Sequence, residues 1–143
     1  MPNHFQKLTL FGLIAAGLSL TSPFTYAEEK HPIDIKNEAC LEKNQTTMGM
    51  IKCEDQAINL WDAELNRVYK ALRSKLNTKA KAQLQTAQRQ WMKYRDAEFA
   101  TIDAIYSSMD GTIWRVVATG ARTEIVKQRV LLLTGYLEDL SPK

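Results

Sequence analysis

The stretch IKCEDQAINLWDAELNRVYKAL, residues 51–72, decides the fold. Its large apolar residues stand at Ile51, Ile58, Trp61, Leu65, Val68 and Leu72. Alternating steps of three and four place them on one face of an α-helix, and nothing here alternates with the period of two that a strand needs. Upstream, Asn44-Gln45-Thr46-Thr47 offers a threonine whose hydroxyl can cap the first turn. Downstream, Asn77-Thr78 ends the helix near Leu76 and caps the next one.

The same periodicity continues outward. A second helix runs to about Ser107, with Leu84, Ala87, Trp91, Tyr94, Ile102 and Ile105 on its stripe. Ser107-Ser108-Met109-Asp110-Gly111 is a turn, marked by Asp-Gly. A third helix runs from Thr112 to about Leu140, with Ile113, Val116, Val117, Val126, Val130, Leu133, Leu137 and Leu140. A short helix at Ile35–Lys43, capped by Asp34, precedes them. Short connections make successive helices antiparallel. The expected fold is therefore all-α, an up-down three-helix bundle (47–143) with an N-terminal segment (28–46) added to it. Turns near 77–79 and 109–110 set the register: residues whose numbers sum to about 156 lie level in the first hairpin, and to about 219 in the second. Asp62 then lies near Trp91 and Arg95, and Phe99 is level with Gly120.

The chain has 143 residues, 45% hydrophobic and 24% charged, with only six glycines and four prolines. This fits one globular domain and argues against disorder or low complexity. Met1 to Ala27 reads as a signal peptide: a weakly basic start, an uncharged run from Leu8 to Leu20 and small residues before Glu28. The run is too short to cross a bilayer, which takes about 20 residues. Export to the periplasm or beyond favours a disulfide between Cys40 and Cys53, the only two cysteines. That bridge would clip the N-terminal helix to the bundle.

Charge is uneven. Glu28 to Asn66 is net acidic, whereas Arg67 to Arg95 holds nine basic residues and no acidic one. Arg67, Lys70, Arg73, Lys75, Lys79 and Lys81 gather at the tip of the first hairpin. Such a tip suits an anionic envelope polymer or a membrane surface. No nucleic-acid motif accompanies it, so no specific nucleic acid is expected.

Two segments carry most information, Asp62-Ala63-Glu64-Leu65-Asn66-Arg67-Val68-Tyr69 and Ala87-Gln88-Arg89-Gln90-Trp91-Met92-Lys93-Tyr94-Arg95-Asp96. They resemble the signature segments of the LprI-type lysozyme-inhibitor family of small exported bacterial proteins. That pattern has a cysteine pair, a D-x-E-L-N-x-x-Y segment, a Q-x-x-W-x-x-x-R-D segment, a glycine-containing turn and a last helix with R-x-x-x-L. The matching positions here are Asp62, Leu65, Asn66, Tyr69, Gln88, Trp91, Arg95, Asp96, Gly111, Arg129 and Leu133, and the resemblance spans about Cys40 to Leu133. Many members carry a second cysteine pair where this chain has Phe99 and Gly120, and the register suggests that the Phe99 ring packs over Gly120 instead.

The resemblance implies an exported binding protein that inhibits lysozyme or another peptidoglycan-cleaving enzyme. The alternative is an envelope binding or scaffold module acting through the basic tip. Either way no cofactor or metal is expected. An enzyme is not expected: beyond the leader the only histidine is His31, and no nucleophilic dyad, phosphate loop or metal-ligand cluster can be assembled. For the motif residues, the expected arrangement is a polar network in which Asp62 bridges to Arg95 beside Trp61 and Trp91; a shared binding patch is the other reading. Glu98 is placed to pair with Arg122, and Trp114 to be exposed.

Overall fold

The computed structural model describes residues 30–140; the leader expected at Met1–Ala27 lies outside them. Four helices account for nearly all of this span: α1 (Pro32–Lys43), α2 (Thr47–Lys75), α3 (Thr78–Ser107) and α4 (Ile113–Asp139). No helix among the described residues is long and apolar enough to cross a membrane.

The long helices start where their caps dictate. The Thr46 side chain accepts from the Gly49 amide, and the Asn77 side chain from the Ala80 amide. α1 differs from expectation. It begins at Pro32, and its cap is His31, whose Nδ1 accepts from the Ile33 amide. Proline suits the first helical position because its missing N–H has no intrahelical partner there. Asp34 is thereby freed for an ion pair with Lys127, at 2.8 Å. The turn before α4 closes through Gly111 at φ 103°, a left-handed conformation that glycine adopts without a Cβ clash.

The central event of packing is α2 against α4. The two run in the same direction: Thr47 meets Thr112, Glu54 faces Gly120, and Lys127 lies over Trp61, at nearly constant offset. Towards the helix starts α4 offers small residues, Ala118, Thr119 and Thr123, all buried, and Glu54 of α2 faces its Gly120. Small side chains let the backbones approach. The two threonine hydroxyls bond back to the Arg115 and Thr119 carbonyls, so neither is left unmet. Towards the other end Trp61, Leu65, Val68 and Leu72 interlock with Val126, Val130 and Leu133. Burying each of these side chains contributes roughly 1.5–3 kcal/mol.

α3 runs antiparallel to α4 and makes its close backbone approach there, not to α2. Gln88 with Arg129, Phe99 with Arg122 and Tyr106 with Trp114 pair at sums of about 220, within a turn of the expected register. The seating is shallow. Only Leu84 and Ile102 of α3 are buried, and the expected stripe members Ala87, Tyr94 and Ile105 face solvent. On α4, Ile113, Val117 and Leu140 of the expected stripe are likewise exposed.

α1 has no fully buried residue, and its Ile33 packs against the edge of the core. It is held on α2 by the Cys40–Cys53 disulfide. The Asn37–Glu54 hydrogen bond at 3.0 Å and the His31 ring over Trp61, centroids 4.4 Å apart, add to the attachment.

Candidate functional site

The two motif segments serve different places. On α2, Leu65 is in the core and Tyr69 packs against it. Asp62 and Asn66 are exposed, and the Asn66 amide donates to the Asp62 carbonyl of its own helix. The expected Asp62–Arg95 bridge does not form. Arg95 instead pairs with its neighbour Asp96 at 2.7 Å, because α3 lies along α4 and leaves Asp62 facing water.

The second segment converges with the end of the chain. Gln88 and Trp91, one turn apart on α3, face Arg129 of α4. Arg129 Nε donates to Gln88 Oε1 at 3.1 Å. The Arg129 guanidinium lies 5.8 Å from the centre of the Trp91 ring, and Arg95 lies 5.5 Å from the same ring. Further along, Phe99 receives Arg95 at 5.8 Å and Arg122 at 6.0 Å. Rings and guanidinium groups thus follow one another along the α3–α4 seam, an arrangement in which the electron-rich ring faces attract the cations.

This ladder replaces two expected contacts. The side of Gly120 open for a Cβ faces the Glu54 carboxyl at 3.8 Å, with no other group in reach, so Phe99 does not pack on it. Arg122 pairs with Asp103 and not with Glu98. Trp114, expected to be exposed, is half-buried and stacked with Tyr106.

The arginines are not equivalent. Arg95 and Arg122 each have a carboxylate, whereas Arg129 has none, and its Nη2 is buried without a hydrogen-bond partner. Burial pushes the Arg129 guanidinium below its usual range, and the Tyr136 hydroxyl acts in the opposite sense. A buried donor with no acceptor costs free energy until something supplies one.

Above this arginine the two helices leave an open groove of about 420 Å³, lined by Trp91, Tyr94, Ile125, Gln128, Arg129 and Leu132 among others. Tyr94 and Leu132 are 54% and 47% exposed, so its apolar rim stands in water. Apolar walls around a few polar groups suit capture of a partner side chain. In the sequence Gln88 and Trp91 stand in one motif segment and Arg129 in another. Neither segment shows that they meet or that Tyr94 and Leu132 frame them. Nor does His31 stand out, although its position directly before a proline is the available sign of a helix cap.

At the hairpin tip, Arg67, Lys70, Arg73, Lys75 and Lys79 are exposed and Lys81 is half-buried. Glu64 bonds to Arg67 at 2.6 and 2.7 Å. That bond holds the Glu64 carboxyl below its ordinary value.

Comparison with known proteins agrees with the motifs. A family model described as lysozyme inhibitor LprI matches residues 40–133. A crystal structure of an uncharacterized protein from Burkholderia thailandensis is similar, with a TM-score of 0.73 and 28% identity over 79% of this chain. This chain spans 56% of that protein's length. No curated protein matches. With the matched span running from the clip cysteine Cys40 through both motif segments to Leu133, the chain belongs to the LprI lysozyme inhibitor family.

Proposed function

We propose that the protein is an exported, up-down helical module that acts by binding, and that it inhibits a peptidoglycan-cleaving enzyme, lysozyme or a bacterial hydrolase, through the α3–α4 groove. One observation carries the choice of surface: Gln88, Trp91 and Arg129 converge there from separate parts of the family pattern, beneath an exposed apolar rim. The partner contributes an apolar side chain to the groove, above the buried Arg129 guanidinium. Water is expelled from Trp91, Tyr94 and Leu132. Aromatic and arginine side chains of this kind concentrate binding energy at protein interfaces. The signal peptide expected at Met1–Ala27 and the Cys40–Cys53 disulfide support an exported setting.

The test is an activity assay with animal and bacterial lysozymes, using the oxidised chain from Glu28 at low and physiological salt. Inhibition should saturate at a fixed stoichiometry. Tyr94→Ser with Leu132→Ser should weaken it by at least about tenfold while the protein stays folded by circular dichroism, since both side chains are about half exposed. Absence of inhibition by folded protein, or inhibition indifferent to the groove pair, would overturn the reading.

A further inference from the structure

The end of the molecule opposite the α3–α4 turn combines two features that the groove shares only at Leu132. Eight basic residues occupy Arg67 to Lys93 of the first hairpin, with no acidic residue among them. Among the described residues only Arg67 of these meets a carboxylate, that of Glu64. Lys70, Arg73, Lys75, Lys79, Arg89 and Lys93 are exposed. The second feature is on α4. Leu132, Tyr136 and Leu140 are 47%, 49% and 46% exposed, and steps of four put them on one side of the helix. By the α3–α4 register they lie level with the stretch Lys79 to Arg89. Glu138 and Asp139, at the same end, are the acidic residues that offset part of the charge.

We infer that this end of the molecule docks peripherally on an anionic phospholipid surface. Unpaired lysines and arginines collect the negative potential of the headgroups within a Debye length, about 8 Å at physiological salt. The stripe Leu132–Tyr136–Leu140 enters the headgroup region, where apolar side chains leave water and a tyrosine keeps its hydroxyl hydrated. A soluble polyanion would satisfy the cations and gain nothing from that stripe. The stripe thus selects a lipid surface as the occupant. The docking is independent of the inhibitory reading except at Leu132, which both surfaces share, so the test leaves Leu132 unaltered.

The experiment is co-sedimentation of the oxidised chain from Glu28, which retains all four helices, with vesicles. One set is pure phosphatidylcholine; the other is phosphatidylcholine with roughly three parts in ten phosphatidylglycerol. The expected result is binding to the anionic vesicles alone, weakened at least about tenfold between about 50 and 500 mM salt. Lys70→Glu, Arg73→Glu and Lys79→Glu together should abolish it. Tyr136→Gln with Leu140→Gln should reduce it several-fold, with helix content unchanged by circular dichroism. Equal binding to both vesicle sets, no binding, or indifference to the charge reversals would overturn the proposal. So would unchanged affinity of the glutamine pair together with equal competition by soluble polyphosphate, which would mark a polyanion site.

Discussion

At Arg129 the structure keeps a cation in a half-buried seam with one of its donors unmet. Its Nε is satisfied by Gln88 and its guanidinium lies over the Trp91 ring, while its Nη2 is buried without an acceptor. Losing Gln88 alone should therefore cost more than losing both partners. Gln88→Ala leaves a desolvated cation short of one more acceptor and is expected to destabilise the protein by about 1–3 kcal/mol. Arg129→Met on that background should restore most of the loss, because an apolar side chain of similar length suits the half-buried seam. Urea unfolding of the two single variants and the double variant measures the coupling; additive losses would show that the pair is not linked. The sequence named both residues as motif positions, yet nothing in their spacing revealed that they touch, because one lies on α3 and the other on α4.

Among the elements, α1 owes its place to the disulfide, to polar attachments and to Ile33 against the edge of the core. It has no fully buried residue, and beneath it lie Trp61, with no exposed surface, and the buried Glu54. The disulfide closes a separation of 13 residues. In the chain-entropy view such a closure stabilises by about 3 kcal/mol. Replacing both cysteines with serine should cost about that much, and hydrogen exchange should rise at Pro32–Lys43 first while the α2–α4 core stays protected. Uniform loss of protection along the chain would contradict a separately held α1. Its cysteine pairing was legible from the even cysteine count and the exported setting. Its cap at His31 and its lid over Trp61 were not, since an unpatterned twelve-residue helix gives no periodic sign of what it covers.

For the whole molecule, the parallel pair α2–α4 sets the shape, with α1 and α3 laid on it from opposite partners. Gly120 sits on the close side of that pair, yet a Cβ there would meet Glu54 at the ordinary contact distance of 3.8 Å. Gly120→Ala should hence leave the packing intact and raise stability by up to about 1 kcal/mol through helix propensity. Trp61→Ala, by contrast, removes the largest fully buried side chain among the described residues and should cost about 3–5 kcal/mol. Thermal unfolding of the two variants should move in opposite directions; a destabilised Gly120→Ala would mean that α2 and α4 approach more tightly than 3.8 Å implies. The sequence by itself determined the all-α class, the three long helices to within a residue or two, the cysteine pair, the antiparallel register of α3 on α4 and the family, because periodicity, caps and turns are local and are written residue by residue. Only the tertiary structure decided that α2 packs on α4 rather than on its hairpin neighbour α3, that Asp62 faces water, and that Gln88, Trp91 and Arg129 meet under a groove. Those outcomes depend on which helix faces fit most closely: the apolar stripes of α2 and α4 interlock, and α3, with only two buried residues, takes the edge that remains.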